Sequence, residues 1–397
     1  MSELSPEQKI EADALDKRVL SEAEKSFTST GDKLNHHPAL LRDLQNRTPH
    51  VVSFHLMPTD ICNLACSFCS VADRNSPYQE LKKSSEFVPD GEKEYYARDP
   101  FLDFESEIKP AVSALKKWGA KAVILSGGGE PTVYRDRKGS KFSDLIKYLR
   151  SESLEVALIT NGTQLAKLGK EIRDELSWMR VSWYPFQYSD KYNEDFDIPV
   201  PGEKTTIGYS IVVTDMPSPQ ITVPLGEKEL YDLFEPVVSV MNKHGQQRGA
   251  KYVRLVPDCH VHGNDHMMLH RVSERLEKNV GGIVLHQQKY HRPPSNCFMG
   301  YVRPVVYANG LVFPCDSLIL NDASDRRFHP SYAMCKVGEI DKFFTEQTGK
   351  LKSLIENPYQ KCPKCVFFKN NERLQGIVDG SNVPPVSNEP LEHVNFI

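Results

Sequence analysis

Three cysteines fall close together in Cys62-Asn-Leu-Ala-Cys66-Ser-Phe-Cys69. Thiolates at this spacing on one loop can converge on a single centre. A structural zinc site is closed by four protein ligands, and neither a further cysteine nor a suitably placed histidine follows until well beyond residue 119. Three thiolates on a cubane of four irons would instead leave one iron open to an exchangeable ligand. A second cluster of residue types, Ser126-Gly127-Gly128-Gly129-Glu130-Pro131, combines glycines that let backbone groups approach a ligand with a carboxylate that can accept hydrogen bonds from an ammonium group. Alone it is also compatible with a Gly-rich turn, and it is not a GxGxxG dinucleotide loop. A third set, Cys297, Cys315 and Cys362-Pro-Lys-Cys365, supplies four thiolates, enough for a zinc ribbon or a fully ligated iron-sulfur cluster. Cys259 and Cys335 remain over and are expected to be buried small hydrophobes. Around Cys259, in Arg254-Leu-Val-Pro-Asp258-Cys259-His260, the polar groups of Arg254, Asp258 and His260 are candidates for substrate contacts. His266 and His270 follow at helical spacing and read as solvated or capping histidines.

These groups need elements to position them. Short apolar runs, VVSFHL from residue 51, AVILSGG, VALITNG, MRVSWY, TIGYSIVVT and YVRLV, read as strands. Amphipathic stretches such as ESEIKPAVSALKKWG and SDLIKYLRSES lie between them, and strands alternating with crossover helices predict a parallel α/β sheet or barrel of about six units. The Cys62 loop leaves the first strand and the Gly128 loop leaves the second, so both belong on the C-terminal rim where such barrels place chemistry. Residues 286–370 contain β-rich halves around Asn309-Gly310, a helix-like EIDKFFTEQ and the late cysteine pair, and read as a small separate domain. The expected division is a helical extension over 1–50, the barrel over 51–285, this small domain over 286–370 and an extended tail over 371–397. In the extension, Ser5, Pro6 and Gln8 are expected to start a helix whose apolar stripe runs from Ile10 through Leu15, Val19 and Leu20 to Phe27.

The chain is long enough, at 397 residues, for two or three cores of ordinary size. Its 49 Lys and Arg against 53 Asp and Glu exclude a broadly basic nucleic-acid binder. A mean hydropathy of −0.46 describes a globular chain with a polar skin. No apolar run approaches the roughly 18 to 20 residues of a bilayer span, and the first residues lack a secretory pattern, so no membrane partner is expected and the cytoplasm is the expected location. Clustered cysteines in that reducing setting favour metal or redox roles over disulfides.

Together, the cysteine triplet with Phe68 before its last member and the Gly128-Gly129-Glu130-Pro131 run resemble the radical S-adenosylmethionine (SAM) enzymes. The resemblance covers about three quarters of the chain and implies an α/β fold of the partial (β/α)6 TIM-like barrel type with a small C-terminal β-hairpin/helix Fe-S domain. It implies a four-iron, four-sulfide (4Fe-4S) cluster on Cys62, Cys66 and Cys69, with SAM cleaved there to methionine and a 5′-deoxyadenosyl radical. Phe68, Gly128, Gly129, Glu130, Asn161 and Ser182 match positions that contact SAM in that family. The hairpin bracketed by Cys297 and Cys315, with Cys362 and Cys365 behind a helix, resembles the twitch domain, a shorter relative of the SPASM domain, and implies a second 4Fe-4S cluster. That arrangement resembles an aminocyclitol dehydrogenase among these enzymes. The expected reaction is therefore oxidation of a small hydroxylated or amino-bearing metabolite, with an electron donor such as flavodoxin or ferredoxin. Peptide modification and redox-neutral epimerisation or rearrangement are the alternative reactions.

Overall fold

In the computed structural model, which describes residues 20–64, 66, 68, 69, 99–183, 205–215, 223–258, 264–287, 295–318, 332–356 and 365–397, the chain enters through two short helices, α1 (Glu22–Phe27) and α2 (Pro38–Gln45). Strands and helices then alternate: β1 (Ser53–Met57), α3 (Lys109–Lys117), β2 (Ala122–Leu125), α4 (Phe142–Ser151), β3 (Glu155–Thr160), α5 (Lys170–Arg173), β4 (Trp178–Ser182), β5 (Thr206–Val213), α6 (Glu227–Gln247), β6 (Ala250–Pro257), α7 (Asn264–Asn279) and β7 (Val284–His286). Each of β1 to β6 pairs in parallel with the next strand, up to β7. All their C-terminal ends therefore meet on one rim. Both β1 and β2 are fully buried, as a parallel sheet covered on both faces requires; β2 is apolar throughout, while β1 alternates Ser53 and His55 with Phe54 and Leu56. Phe54, Leu56, Val123, Leu125, Val156 and Leu158 belong to the main core. On α6, Leu230, Phe234, Val238 and Met241 recur at helical spacing and bury the stripe that seats this helix.

The remaining elements are α8 (Met299–Val302), β8 (Val305–Tyr307), β9 (Leu311–Phe313), β10 (Cys335–Lys336), α9 (Ile340–Gln347) and α10 (Phe368–Asp379). The Asn309-Gly310 hairpin forms as its sequence predicts. Gly310 has φ +80°, where a side chain would be strained, and its N–H donates to Tyr307 O at 2.9 Å. The hairpin does not stand apart, however. β8 pairs in parallel with the free edge of β1, His55 opposite Val305, so the sheet runs β10-β9-β8-β1-β2-β3-β4-β5-β6-β7 and stays open. Val305, Val306 and Tyr307 are wholly buried, and β1 supplies the edge that such a strand needs. The expected barrel of six units is present, with the three-residue β7 added as a seventh parallel strand.

Two further expectations change. Residues 371–379 are helical, because Leu374, Ile377 and Val378 bury a helical stripe and Gly380, at φ +75°, ends it in the left-handed conformation. The extended tail begins only after this glycine. The expected start at Ser5, Pro6 and Gln8 lies outside the described residues; a capping box forms instead at Ser21 and Glu24. Among the described residues no helix is long and apolar enough to cross a membrane.

The last residues fold back beneath the barrel. Phe396 packs edge-on against Trp178 at 5.5 Å, and Asn395 donates to Glu155 at the start of β3. Lys33, only 2% exposed, donates to the carbonyls of Ser26, His393 and Phe396. Burial, with Arg254 and Arg303 nearby, pushes its ammonium down to about 7. Between that value and the ordinary 10.5 the unfolded chain binds the extra proton, so this residue makes stability rise with pH across the window. Urea unfolding at about pH 7 and about pH 9 should show that rise in the wild type and a flatter profile in Lys33→Met. An equally steep rise in the variant would assign the effect to another group.

Candidate active site

The Cys62 loop and the Gly128 loop are joined by their backbones before any side chain takes part. Gly129 N donates to Thr59 O at 3.1 Å and Glu130 N to Ile61 O at 2.9 Å. Only glycine permits this approach: a Cβ on Gly129 would lie 2.1 Å from Ile61 O, and one on Gly128 would lie 2.1 Å from Asp60 Oδ1. Asp60 is fixed in turn by the Tyr307 hydroxyl, which donates to both its carboxylate oxygens at 2.6 and 2.7 Å. The hairpin of the C-terminal third thus braces the entry to the cysteine loop.

Glu130 is 3% exposed, and burial raises its pKa. Its charge is met by four donors: Asn161 N at 2.7 Å, Thr160 Oγ1 at 2.6 Å, and the N–H and hydroxyl of Thr132 at 3.1 and 2.5 Å. The carboxylate therefore ties β2 to the end of β3 as well as facing the cavity. The Asn161 amide donates to Asn63 Oδ1 at 2.9 Å and approaches Cys62 Sγ at 4.0 Å, and its oxygen accepts from Thr163. Burial raises the Cys62 thiol, with Glu130 and Cys69 adding to it; burial, then Cys69 and Cys62, push Cys66 up to about 11. Three thiolates that repel one another over a half-buried surface make a donor set suited to a cationic iron centre. Among the described residues no group of three or more His, Cys, Asp or Glu side chains is arranged to hold a single metal ion.

Cys62, Cys66, Cys69, Phe68 and the Gly127–Glu130 loop line one end of a cavity of about 530 Å³ that continues down the inside of the sheet. Asn161, Ser182, Arg254 and Asp258 line it as well, so the structure brings together every described candidate of the first two constellations and of the Arg254 segment. His260 and Cys259 lie outside the described residues. Strand alternation adds residues that motif reading misses. His55 faces inward from β1, near Ser126 Oγ at 3.3 Å and Asp316 Oδ2 at 3.7 Å, and burial holds it neutral by driving its pKa well below the usual value. At the end of β7, His286 is bonded through Nδ1 to Glu277, while its buried Nε2 has no partner among the described residues. The alternation of β1 carried the signal for His55; the brevity of β7 concealed His286.

Cys297, Cys315 and Cys365 are all buried in the main core, and Cys362 lies outside the described residues. Asn371 connects two of them: its amide approaches Cys365 Sγ at 3.8 Å, and its oxygen accepts from Phe298 N and Met299 N beside Cys297. Asn371 thus holds the Cys297 and Cys365 segments together in the core. Cys335 sits on β10, its thiol pushed up to about 12 by burial.

Residues 56–184 match the sequence profile of the Radical SAM superfamily, a span that holds the cysteine triplet, the glycine loop and Asn161. That span of the chain is a radical SAM domain. Such a domain implies a 4Fe-4S cluster and SAM as its working groups. Among solved structures the chain is similar to Streptococcus suis SuiB bound to precursor peptide SuiA, at 13% identity over 79% of this chain and 72% of that one, with a TM-score of 0.42. SuiB bound to S-adenosylmethionine is similar at 14% identity, over 79% and 71% of the two chains, with a TM-score of 0.40. No curated protein sequence matches the chain.

For this radical SAM domain the loop stitch makes a direct prediction. Gly129→Ala should lower the iron retained after anaerobic reconstitution, because the added Cβ must push Ile61 and the cysteine loop away. Iron analysis and circular dichroism together check it. Unchanged iron content in a folded variant would show that the close approach is dispensable.

Proposed function

We propose that Cys62, Cys66 and Cys69 hold a 4Fe-4S cluster, that Phe68, Gly128, Gly129, Glu130, Asn161 and Ser182 contact SAM, and that the enzyme oxidises a small hydroxylated or amino-bearing metabolite. Bound there, the cluster and SAM supply a 5′-deoxyadenosyl radical, and a second 4Fe-4S cluster on Cys297, Cys315, Cys362 and Cys365 supplies an electron acceptor. The residues of the chain do the rest. Arg254, Asp258 and His260 orient the substrate, and the proton that an alcohol releases on becoming a carbonyl passes to water in the cavity. Flavodoxin or ferredoxin, in the cytoplasm, is the electron donor for the first cluster.

The observation that carries this reading is that residues next to two of the late cysteines line the cavity of the first cysteine set: Asp316 beside Cys315 and Val366 beside Cys365. Asp316, adjacent to Cys315, lines the same cavity as Cys62, Cys66 and Cys69 and is held there by Arg303 Nη2 at 3.1 Å. A site fully ligated by four thiolates has no open position for substrate, so its chemical use is electron transfer. Peptide modification is the second reading. It is favoured by the exposure of Ile61, 45%, beside the exposed Cys62, which leaves the rim accessible to a ligand larger than a metabolite.

Cys365→Ala tests the oxidative role. A folded variant should still form 5′-deoxyadenosine while losing product, because hydrogen abstraction needs only the first site. Melting temperature is measured alongside, since metal ligation also stabilises small cysteine-built units. Normal product formation by a folded variant lacking the second cluster would exclude electron acceptance and favour epimerisation or rearrangement. Product masses from anaerobic incubations with metabolite and peptide panels separate the first reading from the second.

A further inference from the structure

Halfway down the cavity, below the rim that carries the cysteine and glycine loops, the wall becomes cationic. Arg180 on β4 stands opposite Gly208 on β5, and Gly208 stands opposite Tyr252 on β6, one inward step below Arg254. A Cβ on Gly208 would lie 2.1 Å from the Tyr252 ring, so the missing side chain is what lets this ring lie flat over β5 with its hydroxyl toward Arg180. Arg303 and Lys33 close the lower side. The charges of these neighbours are already engaged: Lys33 with three carbonyls, Arg303 with Asp316, Ser29 and Ile397 O.

Arg254 differs. It is 8% exposed, its Nε has no hydrogen-bond partner, and among the described residues its guanidinium forms no hydrogen bond or ion pair. A buried, unpaired guanidinium opposes folding, and the adjacent cations increase that cost. Asp316, which Arg303 holds, offsets this cost only in part by its charge, and Glu130 is tied at the rim to Thr160, Thr132 and Asn161. Such a group is retained where a ligand completes it, and a guanidinium fork matches two oxygens of one oxyanion.

We propose that Arg254, with Arg180 and the Tyr252 hydroxyl beside it, forms a subsite for an anionic oxygen group of the substrate, a carboxylate or a phosphate. The proposal rests on the reading of this cavity as the substrate cavity and names the class of molecule that it takes. The subsite lies two residues deeper in β6 than Val256, and so below the level of the glycine loop. A substrate anchored there by its anion directs its remaining length upward to the cysteine loop.

The test is equilibrium binding to the full chain, reconstituted without oxygen, with inorganic phosphate and with succinate as probes at constant ionic strength. At least one probe should bind saturably to the wild type, and saturating SAM should not displace it. Phosphate binding alone marks a phosphorylated substrate, and succinate binding alone marks a carboxylate. Arg254→Met should bind the probe more weakly by roughly tenfold or more, while melting no lower than the wild type, because an apolar side chain replaces an unpaired buried charge. Arg254→Lys keeps the charge without the fork and should also bind more weakly, so a poorly folding methionine variant leaves the question decidable. Absence of saturable binding of either probe, undiminished binding by the variants, or displacement of the anion by SAM would overturn the proposal. Binding is read without radical chemistry, so its failure leaves 5′-deoxyadenosine formation unaffected, and failure of the radical reading leaves the isotherm unaffected.

Discussion

Two backbone hydrogen bonds, from Gly129 N to Thr59 O and from Glu130 N to Ile61 O, hold the rest of the site in place. They join the loop after β1 to the loop after β2 at a separation that no side chain larger than hydrogen allows on Gly129. Once the loops are joined, the cysteine segment cannot swing independently of the sheet, and Glu130 is carried to the end of β3, where Thr160 and Asn161 receive it. The same loop is braced from the opposite side by Tyr307 on β8 through Asp60. Parallel pairing of β1 with β2 and with β8 brings both braces to one rim, so the chemistry depends on sheet topology through a few short contacts.

Below the rim the cavity changes character. Its floor is made by Trp178, Phe396 and Lys33, and its middle layer by guanidinium groups whose ionisation is resisted by burial; Arg254 is lowered to about 9. Cations so placed repel one another across a medium poorer than water at screening them, and the fold offsets this only partly, through Asp316 and backbone carbonyls. The pairing of Arg303 with Asp316 also links the lumen to Cys315, so the C-terminal third takes part in the wall of the cavity that the barrel encloses.

Much of this was legible in the sequence because it rests on local patterns. The apolar runs gave the strands from β1 to β6, Asn309-Gly310 gave the hairpin, and the strand-loop order placed Cys62 and Gly128 on one rim. What escaped notice depends on partners distant in the chain. The pairing of β8 with β1 joins residues 250 positions apart, His55 with Val305, and no local signal announces it. The helix over 368–379 was obscured by its asparagines and Gly376, whose low helix propensity is overridden by the burial of Leu374 and Ile377. His55, Arg180 and Arg254 acquire significance only once the inward face of each strand is known, and His286 lies on a strand too short to show a period.

The central claim is that this rim generates a radical from SAM, and the most direct measurement is 5′-deoxyadenosine formed by the anaerobically reconstituted, chemically reduced chain given SAM alone. Slow formation of the nucleoside by the wild type, and none by Cys66→Ala, is the predicted result. Formation at the wild-type rate in the Cys66→Ala chain would contradict the account, because the cleavage would then not depend on the three thiolates.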